Sequence, residues 1–303
     1  MTLRIGVRTI YLHDILFMLW SLAIILPLAP PVFAQIAGLT QFILLSLFAF
    51  AHGVRCYGAK RMAWVTAILV LIANAMENLS INTGFPFGWF DHQPAMGPKI
   101  FDVPILVNFG YLAIGYVSIF VADTILGRMP TGHKYTGLVG IAVIAGFIAA
   151  GWNAALDPLG STLQRSWIWR DGGGYFGVPI TNTLGWLLTM TVAAALAASA
   201  LKSAAHTLPH DGAMIWLSQP PCVLLLQTLS LIVGWLHVPR GPVTDPTGQT
   251  WPIAALMETS ALVSIVTCGA FGTVGLLRAW QLALCADNGD RPARSTTSEQ
   301  DNR

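Results

Sequence analysis

Eight apolar runs, each near the ~20 residues that a helix needs to cross a hydrocarbon core, constrain this chain before any motif is read. They fall at about 12–32, 36–55, 62–82, 103–126, 135–156, 178–201, 213–237 and 251–281. In lipid every backbone polar group needs an internal partner, so runs of this length fold as helices packed side by side. Only 10% of the residues are charged, against about 25% in a soluble domain. The expected fold is therefore all-α: a polytopic membrane helical bundle of about eight transmembrane helices. One transmembrane domain is expected over residues 1–283, with a disordered cytoplasmic tail at 284–303.

Short cytoplasmic loops carry an excess of Lys and Arg, which predicts the orientation. With the N-terminus inside, the cytoplasmic side holds Arg4, Arg8, Arg55, Lys60, Arg61, Arg128, Lys134, Lys202, Arg278, Arg291, Arg294 and Arg303. Lys99, Arg165, Arg170 and Arg240 are left outside. An alternative for the first 34 residues is a cleaved signal peptide ending at Val32-Phe33-Ala34, against which stand His13, Asp14 and the Pro30-Pro31 break. The net charge of +2 carries no nucleic-acid message. Cys56, Cys222, Cys268 and Cys285 are scattered, without the spacing of a disulfide framework or a zinc site.

A stretch also occurs twice, 75 residues apart. Residues 97–112 align without a gap on residues 172–187, and seven of the sixteen positions are identical, among them Val103-Pro104-Ile105 and Val178-Pro179-Ile180. The same offset pairs Asn78 with Asn153 and Asn82 with Asp157. Two helical hairpins, about 62–126 and 135–201, then form a parallel repeat about an axis along the membrane normal. A plainer reading of the shared motif is a good helix start, with proline in the first turn, followed by a packing glycine.

Ionisable groups inside a bilayer are expensive, so each is a functional candidate. Asn74, Glu77, Asn78 and Asn82 follow i, i+3, i+4, i+8 spacing on the third run, which places them on one helical face. Asn153 and Asp157 end the fifth run, one turn apart. The loops at the same end add Asp91, His92, Asp102, Trp167, Trp169, Asp171 and Tyr175. A polar pocket in the outer half of the bundle is expected, with Glu77 and Asp157 as its functional acids. Glu258 of the last run could face the same pocket or serve structure alone, and single Asn residues also serve helix capping and helix–helix bonding. Trp89, Tyr111, Trp152, Trp167, Trp169, Tyr175 and Trp186 gather at this end as well. Such rings form interfacial belts, and they also stabilise cations.

Several classes are excluded. Multiple histidine boxes for di-iron chemistry are missing, and His206-Thr-Leu-Pro-His210 is broken by its proline. The four lysines supply none to the last span, as a retinal protein would need. Neither a phosphate-cradling loop nor a dinucleotide fingerprint is present.

The strings Glu77-Asn-Leu-Ser-Ile-Asn-Thr-Gly-Phe-Pro-Phe-Gly-Trp-Phe90, Gly97-Pro-Lys-Ile-Phe-Asp-Val-Pro-Ile105 and Gly174-Tyr-Phe-Gly-Val-Pro-Ile-Thr-Asn-Thr-Leu-Gly-Trp186 resemble the membrane carotenoid biosynthesis family, which includes carotenoid 1,2-hydratases. The resemblance is close over residues 60–200. It implies a bacterial inner-membrane enzyme that hydrates the terminal isopropylidene double bond of a long polyene without cofactor or metal. Its implied partners are the polyene drawn from the bilayer, water and membrane lipid, with other carotenoid enzymes as an option. Two departures stand out: Asn153 follows Trp152 where the family reads Trp-Asp, and Phe90 stands where Tyr is expected. Glu77 or Asp157 would protonate the alkene, Asn78, Asn153 and Asn182 would orient acid and water, and the aromatic residues, with Asp102 and Glu258, would line the substrate. A proton-initiated cyclase or isomerase is the first alternative, and a lipid or isoprenoid transporter is the second.

Overall fold

The computed structural model describes residues 2–5, 8–25, 31–126, 134–201, 213–238 and 240–289. A short hairpin of β1 (Thr2–Ile5) and β2 (Arg8–Tyr11) leads into α1 (Leu12–Ile25), α2 (Pro31–Tyr57) and α3 (Ala59–Thr83). After α3 come β3 (Phe90–His92), the two-residue strands β4 (Lys99–Ile100) and β5 (Val103–Pro104), and α4 (Ile105–Ile125). Next are α5 (Lys134–Pro158), a π-helical turn (Leu159–Leu163), β6 (Trp167–Trp169) and α6 (Ile180–Leu201). The chain continues through α7 (Ala213–Leu236), the hairpin of β7 (Pro242–Thr244) and β8 (Thr250–Pro252), and α8 (Ile253–Ser264), which runs through a π turn into α9 (Ala270–Gly289).

Six helices among the described residues are long and apolar enough to cross a membrane: α3, α4, α5 with the turn after it, α6, α7 and the α8–α9 unit. The run expected at 12–32 is described as helix only to Ile25, and α1, at 14 residues, spans about 21 Å at 1.5 Å per residue. The helix α9 continues to Gly289, beyond the expected boundary at 283, and residues 290–303 of the expected tail lie outside the described residues. So does the His206–His210 segment.

The helix α4 occupies the middle of the bundle, with fifteen of its 21 residues buried, and packs against α2, α3, α5, α7 and α9. The most extensive pair is α5 with α6, whose small residues Ala142, Ala145 and Ala149, and Ala193, Ala194 and Ala197, are buried. Small side chains let helix backbones approach in the absence of a hydrophobic drive between helices in lipid.

The 75-residue offset recurs in the backbone. The helices α3 and α5 start at 59 and 134; α4 and α6 start at 105 and 180, each of these two directly after a proline. Phe101 and Phe176, one offset apart, both adopt left-handed backbone angles, φ 54° and 49°. Strands β3 and β6 pair antiparallel with His92 opposite Trp167, again residues 75 apart.

Candidate active site

Each acid is brought to the bundle interior by its helix and covered by the segment that follows. The helix α3 ends at Thr83 because Gly84 turns into the left-handed region (φ 79°), where glycine carries no steric penalty. Ser80 then folds the loop back: its hydroxyl accepts from Phe87 N (3.0 Å) and donates to Gly88 O (2.8 Å). Thr181 Oγ1 on α6 donates to Phe87 O at 3.0 Å. The returning chain enters β3, which sets His92 Nε2 3.0 Å from Glu77 Oε2. The other oxygen, Oε1, accepts from Tyr111 Oη of α4 at 2.7 Å. Glu77 is 6% exposed.

Asp157 repeats this plan with different partners. The helix continues past Pro158 through the π turn to Leu163, the chain turns back at 164–166, where Arg165 adopts φ 54°, and Trp167 returns to donate Nε1–H to Asp157 Oδ1 at 2.7 Å. Asn182, in the first turn of α6, donates to Oδ2. Asp157 is 1% exposed.

Both acids line one cavity of about 130 Å³. Tyr111 and Trp186 stack at 4.4 Å and 4° on one side, and Phe87, Phe90, Trp167 and Trp169 add further rings. Its half-buried aliphatic and phenyl wall is formed by Phe42, Met96, Leu106, Val107 and Leu156. An apolar cavity of ~150 Å³ holds a benzene ring. This one therefore has room for an apolar group of about that size. Among the described residues no group of three His, Cys, Asp or Glu side chains is arranged to hold a metal ion.

Of the residues singled out in the sequence, Glu77, Asp157, Asn153, Asn182, Phe90, His92, Tyr111, Trp167, Trp169 and Trp186 line this cavity. The others lie elsewhere. Asn78 bonds Asn74 and accepts from the backbone of Asp102 at 3.0 Å, while Asn82 Nδ2 donates to Asp102 Oδ2 at 3.3 Å. This ladder ties the β4–β5 hairpin to α3. The reason is angular: at about 100° per residue Glu77 sits ~60° to one side of Asn74, and Asn82 ~80° to the other. The shared face thus splits into an inward acid and an outward ladder.

Trp89 lies under the Arg170 guanidinium at 5.5 Å, outside the cavity, where Arg170 also makes two 2.6 Å bonds to Asp91. Those bonds hold the Asp91 carboxyl below its usual value, with burial opposing. Trp152 is buried and does not line the cavity. Tyr175 donates to Ala154 O at 3.1 Å, and burial, then the Asp157 charge, push its hydroxyl up to about 12. Glu258 is exposed on α8, whose inward face carries Leu256, Met257, Ser260 and Ala261.

His92 was grouped with the loop residues without a role, yet it touches the acid. The repeat offset contained the signal, since it pairs His92 with Trp167 as it pairs Tyr111 with Trp186. Phe42 lies outside the repeat, so no such signal reached it.

The sequence model of carotenoid biosynthesis proteins matches residues 35–239, about two thirds of the chain. No curated protein matches it, and no solved structure does. The matched segment contains every residue that lines the cavity, from Phe42 to Trp186, and the chain belongs to the carotenoid biosynthesis protein family.

Proposed function

We propose that this membrane protein hydrates the terminal carbon–carbon double bond of a carotenoid or related polyprenyl chain, with Glu77 as acid and Asp157 as base. The supporting observation is the hydrogen-bonding capacity of their partners. Trp167 Nε1–H can only donate and Asn182 donates through its amide nitrogen, so both match an ionised Asp157, and a protonated one would keep both contacts only with the Asn182 amide turned over. The partners of Glu77 are a phenol and an imidazole nitrogen, each able to donate or accept. Glu77 can therefore carry a proton with both contacts intact.

Glu77 gives that proton to the terminal alkene, and the π electrons form the new C–H bond, leaving a tertiary cation. The faces of Tyr111, Trp186 and Phe87 carry negative charge density that stabilises a cation. Water forms the C–O bond and its released proton passes to Asp157. Return of that proton to Glu77 restores both groups, so the net change is the addition of one water. His92, on Oε2, is placed to hold the proton that Glu77 uses next.

Expression of the chain in a lycopene-producing bacterium, followed by mass spectrometry of the pigments, tests this reading. Gain of one water is expected, and Glu77→Gln is expected to abolish it. Altered pigments of unchanged mass would replace hydration with cyclisation or isomerisation.

A further inference from the structure

The lining of the cavity divides by chemistry. Among the described residues its charged and amide side chains, Glu77, His92, Asn153, Asp157 and Asn182, are all buried, whereas the half-buried ones are Phe42, Met96, Leu106, Val107, Leu156 and Trp167. The Trp167 N–H is held by Asp157. The cavity therefore reaches the protein surface through a mouth whose side chains offer a ligand neither charge nor a free N–H or O–H. That mouth lies well inside the helices: Phe42 is eleven residues from the start of α2, about 16 Å along its axis. Its neighbours Ile43 and Leu47 are 40% and 46% exposed, and contiguous exposed apolar side chains mark contact with lipid.

The repeat gives the mouth its side. A Cβ at Gly185 would meet Phe87 at 2.6 Å and Pro86 O at 2.8 Å, so the second copy is plugged there, by a loop that Ser80 and Thr181 hold in place. At Gly110, one repeat earlier, only the Phe42 ring closes the space, at 3.6 Å. A phenyl ring swings about two side-chain torsions.

We propose that Phe42 and Gly110 form the gate of a lateral mouth, through which the hydrocarbon end of a long apolar chain passes from the bilayer to Glu77 and Asp157 while the rest of the chain stays in lipid. This deepens the function proposed above and rests on its substrate class. The rim selects that class. A hydroxyl or phosphate at the entering end would give up its water without a partner at the rim, whereas a hydrocarbon end has none to give up. Phe42 sets the width of the passage, and the missing side chain at Gly110 leaves room for the ring to move.

Thiol labelling of Phe42→Cys in vesicles of phosphatidylethanolamine and phosphatidylglycerol tests the gate, with modification at position 42 read by peptide mass spectrometry. A bilayer-soluble maleimide is expected to modify it, and a charged methanethiosulfonate confined to water is not. Lycopene in the vesicles should slow the maleimide about tenfold at about 90% occupancy. Leu47→Cys, exposed on the same helix but away from the cavity, should react at one rate with and without lycopene. Leu106→Cys, on the opposite rim, carries the expectations of Phe42→Cys should that variant fail to accumulate. Faster modification by the charged reagent, or an equal effect of lycopene at positions 42 and 47, overturns the gate. The readout needs binding and no turnover, so protection at position 42 in a protein that forms no hydrated pigment upholds the gate and overturns the hydration reading alone.

Discussion

The different partners of the two acids predict that their amide variants fail in different ways. In Asp157→Asn the new side chain has one oxygen and one NH2 group where both partners donate. Either Trp167 Nε1 loses its bond, or Asn182 turns its amide over and takes its own NH2 group away from the carboxyl that accepted it. A buried donor left unsatisfied costs about 1–3 kcal/mol, and at about 2–4 °C per kcal/mol for a chain of this size the melting temperature falls by several degrees. In Glu77→Gln the new NH2 group meets either Tyr111 Oη or His92 Nε2. The phenol can rotate and the imidazole can change tautomer, so both contacts survive and the stability loss stays under ~1 kcal/mol. Activity is expected to fall in both, since Asp157→Asn removes the base, but in the glutamine variant it falls without loss of fold. Glu77→Gln deletes the proton donor, a general-acid contribution of about 10²–10⁴-fold, in a protein that remains folded. Thermal unfolding in detergent, followed by tryptophan fluorescence, and pigment analysis of the same preparations give both readouts. Equal loss of stability in the two variants would refute the argument from partner chemistry. Wild-type turnover in Glu77→Gln would refute the acid assignment.

Tyr111→Phe removes the donor to Glu77 Oε1 but keeps the ring stacked on Trp186. Product formation should fall about 10- to 100-fold, the equivalent of ~1–3 kcal/mol, with little change in folded protein on size-exclusion chromatography. Gly110 and Gly185, one repeat apart, should respond unequally to alanine. A Cβ at Gly185 would meet Phe87 at 2.6 Å and Pro86 O at 2.8 Å and push Phe87 into the cavity, whereas at Gly110 the nearest atom, on Phe42, is at 3.6 Å. Gly185→Ala is expected to lose activity and stability together, and Gly110→Ala, whose methyl meets no closer atom but lies on the cavity wall, to keep stability.

The Asp91–Arg170 pair, with side chains about half exposed, should contribute no more than ~1 kcal/mol. Since folding lowers the Asp91 value, that contribution is present above the unfolded value of ~3.9 and is lost as pH falls through the folded one. Thermal unfolding of Asp91→Asn should thus differ slightly from wild type at pH 7 and converge with it in acid.

The candidate site was legible where the chemistry is scarce. Glu77 and Asp157 stand out because a carboxyl in an apolar helix is costly, and both line the cavity. Asn78 shares a helical face with Glu77 yet lies outside the cavity, because helical spacing specifies a face about 140° wide and not which part of it points inward. The role of His92 was hidden for another reason. Its contact with Glu77 depends on the Ser80 bonds that fold the chain back and on a strand pairing with β6.

The duplicated stretch and the apolar runs already specify a helical membrane bundle with hairpins in register 75 residues apart, since both follow from local properties of the chain: run length, proline at helix starts and repeated spacing. Only the tertiary structure decides that the two copies supply unlike parts to one cavity. The first contributes Glu77, His92 and Tyr111, and the second Asp157, Trp167 and Asn182. Positions equivalent in sequence are not equivalent in the cavity: Trp152, the counterpart of Glu77, does not line it, and Asn82, the counterpart of Asp157, faces the β4–β5 hairpin. Which donor reaches which carboxyl depends on how loops close over helices, and that is a property of packing across the whole bundle.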